Sequence, residues 1–209
     1  HLNPEYLRYY FAAKLGARLD DIDLNLDDFT ARINSDLVGK YVNIASRAAG
    51  FITKSFEGRL ATVQEFSGNQ AEYSICMEGV RASAHLLSEA YEAREFSHVI
   101  RVAMKYADGI NQYFDLHKPW DIAKDEARRI ELWHVCSKCL HGFYILSIFL
   151  APILPKTAQR VSRELFGMTR DFVWDDLESF PKSINQYQHL ATRIDPKQVA
   201  ALLEETKES

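Results

Sequence analysis

The sequence predicts an all-α fold, a helix bundle with short connections, and three observations carry that expectation. Apolar residues recur at steps of three and four through most of the chain. Prolines fall at the ends of those patterns rather than in their interiors, and only one short stretch, DDIDLNLDD, alternates with a period of two. Asn3, Pro4 and Glu5 supply a cap, a first helical position and a first-turn acid, and Leu7, Phe11 and Leu15 follow at intervals of four, so a short tyrosine-rich helix ends near Gly16 to Leu19. Ile22, Leu24 and Leu26 alternate with Asp and Asn, which predicts an extended strap with one buried face. A second helix runs from Asp27 or Asp28 to about Gly50, with Phe29, Ile33, Leu37, Tyr41 and Ile44 or Ala48 along one side.

A loop holding Gly58, Gly68 and Asn69 leads to a long helix over residues 70–94, whose seam is Tyr73, Met77, Val80, Ala84, Leu87 and Tyr91. The next helix starts near Glu95 and carries Phe96, Ile100, Ala103, Ala107, Ile110 and Phe114. It stops before His117-Lys118-Pro119, because the residue ahead of a proline resists the helical region. Ile130, Trp133, Leu140, Phe143 and Leu146 mark a fifth helix from about Asp125 to Leu150. Pro152 and Pro155 introduce a shorter one ending at Gly167. Residues 168–187 have aromatics without a period and are expected to pack irregularly over the bundle, and Asp195-Pro196 begins a last amphipathic helix with Val199, Leu202 and Leu203.

With 209 residues, 47% of them hydrophobic and 26% charged, the chain can bury a full core. Its net charge of −4 gives nucleic acid no broad attraction, so any such binding relies on local placement of Lys and Arg. Cys76, Cys136 and Cys139, without a signal-peptide pattern, argue for a reducing, cytosolic compartment rather than a disulfide framework. The longest apolar run, Phe143 to Leu154, is well short of the roughly 20 residues that span a bilayer, so no membrane association is expected. The opening His1-Leu2, already in helical pattern, predicts a piece of a longer chain.

His134, Cys136, Cys139 and His141 are zinc-binding residue types, but on one helix only pairs three or four apart share a face. Four tetrahedral ligands are therefore not expected from WHVCSKCLH. The aspartates from Asp20 to Asp28 lack the glycine and glutamate of a calcium-binding loop. No Gly-x-Ser-x-Gly, His-Glu-x-x-His or glycine-rich nucleotide loop occurs, so no catalytic residue and no metal site are expected. Asn43 and Arg47, four apart, project from one helix face with an amide edge and a planar fork. In YFDLHKPWDIAK, Trp120 sits among polar residues, stiffened by Pro119. Taken on spacing, it is either a lid on the core or a flat surface for a partner, and Asn43 and Arg47 are compatible with an ordinary solvated face.

LRYYFAAKLGARLDDIDLNLDDF resembles the stem-contact strap that follows the KMSKS loop of methionyl-tRNA synthetases. VNIASRAAGF and the spacing Asn111-x-Tyr113-x-Asp115-x-x-x-Pro119-Trp120 resemble anticodon-binding signatures of the bacterial form of that family. The likeness extends over nearly the whole chain. It implies a bundle of the class I synthetase anticodon-binding type, with residues 1–28 as stem-contact segment, 29–190 as anticodon-binding bundle and 191–209 as C-terminal helix. It implies that Trp120, fixed by Pro119, stacks on the cytosine of a CAU anticodon. It also implies that Asn43 and Arg47 contact the anticodon loop of tRNA(Met), and that Asn111, Asp108 and Asp115 line the same surface, the aspartates acting against wrong anticodons. The family's HIGH and KMSKS signatures are absent from these 209 residues. Methionine ligation, ATP with magnesium, and zinc are thus implied only for a parent enzyme with its own catalytic domain, and no cofactor or DNA partner is expected here. A bundle from another class I synthetase, or a helical module that binds protein rather than RNA, would share the fold.

Overall fold

In the computed structural model, the described residues are 2–16, 23–66, 82–196, 198 and 199, and they form helices joined by short turns without a named strand. α1 spans Pro4–Lys14, with the Asn3 side chain accepting from the Glu5 amide at 3.0 Å. Its buried face is Tyr6, Tyr9, Tyr10 and Ala12; of the expected stripe Leu7, Phe11 and Leu15, only Phe11 packs against the core, and both leucines are exposed. The tyrosines win that face because their hydroxyls find partners there: Tyr9 donates to Asp36 at 3.0 Å and Tyr10 accepts from the Asn25 amide at 3.2 Å. Most of the expected strap lies outside the described residues. Of its apolar positions Leu24 is exposed, which corrects the expectation of burial there, while Leu26 packs against the core.

The second helix is longer than its sequence pattern. It begins at α2 (Leu26–Arg32), capped by Asn25, winds as a π-helix over Ile33–Val42 and continues as α3 (Asn43–Phe56). Phe29, Ile33, Leu37, Tyr41, Ile44 and Ala48 are all buried. The expected helix 70–94 is described only in part, as α4 over residues 82–92, where Leu87 is buried; Tyr73, Met77 and Val80 lie outside the described residues. α5 spans Phe96–His117, α6 is the single turn Pro119–Ile122, and α7 spans Arg129–Leu150. Glu126–Arg128 form a 3-10 turn ahead of α7, and Ile130, in the first turn of α7, is exposed rather than part of its core face.

α7 is the central post. From Leu132 onward nearly every side chain is buried, as expected for a helix surrounded on all sides, and it packs most extensively on α3 and α5. Tyr41 stacks on Phe143 at 4.8 Å between ring centres and shares a 2.7 Å hydrogen bond with Ser147. α8 (Pro155–Arg160) runs on through Val161–Leu165 and stops at Gly167, whose φ of +65° is natural for a glycine end. Residues 168–187 drape over the bundle, with Phe172, Trp174, Phe180 and Tyr187 against the core. Pro196 and residues 198 and 199 are helical and Val199 is buried; Leu202 and Leu203 lie outside the described residues. Among the described residues no helix is long and apolar enough to cross a membrane.

Candidate nucleic-acid interface

Lys40 pairs with Asp108 at 2.9 Å, Asn43 Nδ2 donates to Asn111 Oδ1 at 3.0 Å, and Arg47 pairs with Asp115. Each pair is 68 residues apart in sequence. A constant offset means that the two helices run parallel, so their facing edges meet as a ladder of three polar rungs. Asn111 is further locked, its amide nitrogen donating to the carbonyls of Lys40 at 3.0 Å and Ala107 at 2.9 Å. With Asn111 Nδ2 so committed, its oxygen must accept, which fixes the Asn43 amide as the donor of that rung.

The ladder ends at the KPW corner. α5 terminates where the Lys118 amide bonds the Phe114 carbonyl and Lys118 takes left-handed angles, φ 46° and ψ 64°. Pro119 then opens α6 at the position where a missing N–H costs nothing. Pro119 and Ile122 are buried and anchor the turn; Trp120, between them, is 41% exposed. The Arg47 guanidinium lies 4.3 Å from the centre of the Phe114 ring and 5.9 Å from that of Trp120, and the two rings tilt at 47° with centres 6.2 Å apart. A half-open indole, a guanidinium held flat by an aromatic face, and an ordered amide thus share one surface. Such a surface offers an unstacked base both a stacking plane and edge contacts.

All seven side chains singled out from the sequence therefore meet here: Asn43, Arg47, Asp108, Asn111, Asp115, Pro119 and Trp120. Two partners were not singled out. Lys40 sits three residues before Asn43 on the same stripe, and Phe114, counted only as core, is the post beneath both Arg47 and Trp120. The aspartates differ from expectation in one respect, since each already carries a cation and so acts first to hold Lys40 and Arg47. His117 folds back, its Nδ1 2.9 Å from the Tyr113 carbonyl and its ring 4.0 Å from that of Tyr113.

The cysteine–histidine cluster lies elsewhere, on α7. Cys136 and Cys139 are buried free thiols. Burial pushes the Cys136 thiol up to about 12 and Cys139 higher still. Burial drives His141 down to about 3, weakly opposed by the nearby Pro181 carbonyl. Neither of its ring nitrogens has a well-formed hydrogen bond among the described residues, and the ring stacks on Phe180 at 4.4 Å. Among the described residues, no three His, Cys, Asp or Glu side chains are placed to hold a metal ion.

A family model for class I tRNA synthetases (M) matches residues 1–49. Over the whole chain, 211 aligned residues are 49% identical to a methionine–tRNA ligase of Ralstonia nicotianae. The chain belongs to the methionine–tRNA ligase family. It is likewise 50% identical over 212 residues, again its full length, to the methionine–tRNA ligase of Burkholderia lata. The chain spans 29% of the Ralstonia ligase and 28% of the Burkholderia one. In three dimensions it is similar to the apo form of Mycobacterium tuberculosis methionyl-tRNA synthetase, with a TM-score of 0.77 at 19% identity, covering 92% of this chain and 39% of that one. The same enzyme in complex with methionyl-adenylate gives 0.74 at 17% identity, over 89% and 37%. At such identities the structural likeness establishes the fold, an all-α bundle that also occurs within methionyl-tRNA synthetases.

Proposed function

We propose that this chain recognises the CAU anticodon loop of tRNA(Met), as the anticodon-binding part of a methionyl-tRNA synthetase that ligates methionine to that tRNA with ATP. The observation that carries the reading is the KPW corner, where an indole anchored on both sides is left 41% exposed beside a guanidinium stacked on Phe114. Trp120 stacks on the cytosine. Pro119 holds Trp120 in place, and Arg47, swung from Asp115 or shared with it, meets a phosphate or a base edge. Asn43, ordered by Asn111, presents its remaining amide capacity to the loop. Asp108 and Asp115, half exposed, repel further phosphates and acceptor edges, so a wrong anticodon meets charge it cannot pair with.

No catalytic step is assigned to these residues, since neither HIGH nor KMSKS occurs among them. ATP with magnesium, and zinc, would be handled by a catalytic domain of the parent enzyme. Its setting is the cytoplasm.

The test is binding of the 209-residue chain to RNA stem-loops that differ only in anticodon. Stacking of a base on an aromatic side chain is worth roughly 1–3 kcal/mol, so Trp120→Ala should weaken CAU stem-loop binding about tenfold or more with unchanged circular dichroism. Equal affinity of the unmutated chain for all anticodons overturns the CAU reading, and preference for a different one points to another class I synthetase. Full binding by a folded Trp120→Ala variant removes Trp120 from the site.

A further inference from the structure

Phe114 is 3% exposed and lies in the hydrophobic core, yet its ring neighbours are not those of an ordinary core residue. Arg47 and Phe51 stand four apart on α3 and so share a helix face. Both close on the Phe114 ring. The Arg47 guanidinium carbon lies 4.3 Å from its centre, and the Phe51 ring lies 6.5 Å away at 45°. The third neighbour is the Trp120 indole, 6.2 Å off and tilted at 47°. One buried ring therefore touches both of the side chains that form the open surface at the KPW corner.

Little else holds Arg47. Among the described residues its hydrogen bonding is a single contact, from one terminal nitrogen to Asp115 Oδ1. Arginine–carboxylate pairs are frequently two-point clasps, and the Asp115 side chain, 58% exposed, has room to accept a second N–H. The guanidinium instead rests over the Phe114 ring, whose electron-rich face attracts it, and the rest of its fork stays uncommitted. Trp120 depends on the same ring. Pro119 fixes the backbone of the α6 turn, but the indole still turns about its own side-chain torsions. Among the described residues Phe114 is the one aromatic ring packed against it.

We propose that Phe114 is a positioning residue for RNA binding: its ring face keeps the Arg47 guanidinium from a two-point clasp with Asp115 and sets the plane of Trp120, so that these two groups act on the RNA as one unit. Phe114 itself, being buried, touches no RNA. The proposal rests on the reading of the Trp120 corner as an RNA site. Its consequence is energetic coupling, since residues that share a partner lose their independence. Asn43 lies outside the unit, because it is ordered by Asn111 and not by the ring.

The experiment measures binding of a CAU stem-loop to the 209-residue chain and to its Arg47→Gln, Trp120→Ala and doubly substituted variants, then repeats the set with Phe114→Leu added. Phe114→Leu keeps an apolar side chain in the core and removes the ring face. Alone it should weaken binding about fivefold with unchanged circular dichroism, and Phe114→Tyr, which keeps the face, should restore it. Phe114→Met replaces Phe114→Leu in the comparison should the latter unfold. With Phe114 present, the combined loss from Arg47→Gln and Trp120→Ala should fall short of the product of the separate losses. With Phe114→Leu the two losses should be smaller and should multiply, while the loss from Asn43→Ala stays the same in both backgrounds. Losses that multiply with Phe114 present, or coupling that persists without it, overturn the proposal and leave the anticodon reading standing. An Asn43→Ala loss that shrinks in step with that of Arg47→Gln makes Phe114 part of the general packing and overturns it too. If neither Arg47→Gln nor Trp120→Ala weakens binding, the RNA reading of the corner falls and the proposal falls with it.

Discussion

His141 is a base without a place to put a proton. Its folded pKa of about 3 lies far below the usual value near 6.5, because burial against Phe180 removes the water that an imidazolium needs. The unfolded chain therefore binds the extra proton between those two values, so stability contributed by the neutral ring is complete above about pH 6.5 and is lost as pH falls. At pH 5 the loss amounts to about 2 kcal/mol. His141→Phe should erase that part of the slope between pH 6.5 and 5, read as the difference in urea midpoints between variant and parent chain. Spacing carries no sign of this: at that level His141 is one of four zinc-type residues, and only its neighbours from residues 66 and 180 make it a core ring. Trp120 is the opposite case. Its polar surroundings left lid and platform both open, and in the structure it stands 41% exposed between two buried anchors, Pro119 and Ile122.

At the scale of elements, the break between α5 and α6 is legible because Pro119 forbids a continuous helix. Its form is not. Lys118 enters the left-handed region instead of extending, and that conformation costs a non-glycine residue roughly 1–2 kcal/mol. Lys118→Val should destabilise the chain further, because a β-branched side chain tolerates φ of 46° worse than lysine. Lys118→Gly should leave the melting temperature unchanged or raise it, relief of strain being partly offset by a freer unfolded chain. Thermal melts of both variants check this. The same limit governs α1, where Leu7, Phe11 and Leu15 recur at steps of four but three tyrosines, satisfied by Asp36, Asn25 and the core, took the buried face. Periodicity ranks residues by hydrophobicity and cannot see which hydroxyls will find partners.

Across the whole molecule, distant segments are clasped by single polar side chains. The Glu5 carboxylate, 5% exposed, accepts from the Lys156 amide at 2.6 Å, the Thr157 amide at 2.9 Å and the Thr157 hydroxyl at 2.6 Å, capping α8 from α1. Asn34 exchanges two bonds with the backbone of Ile194, at 2.9 and 2.7 Å, and so ties the chain's last described segment to the helix that carries the ladder. Glu5→Ala would strand buried donors on α8, a loss of about 1–3 kcal/mol. Differential scanning calorimetry should show the lower midpoint, and hydrogen exchange should show Thr157 losing protection ahead of the α7 core. An unchanged Thr157 exchange rate would mean that α8 is capped from elsewhere.

By itself the sequence determined the helical class and most helix positions, because periodic burial and local punctuation are properties of neighbouring residues, whereas the residues of the candidate site were implied by the family resemblance. The likeness to methionyl-tRNA synthetases was legible for the same reason, since its signatures are short and contiguous. Only the tertiary structure decided that Asn43 and Asn111, or Arg47 and Asp115, stand opposite one another at a constant offset of 68, and that Phe114 underlies both Arg47 and Trp120. Those relations depend on how two parallel helices settle on α7, a matter of long-range packing that no local pattern encodes.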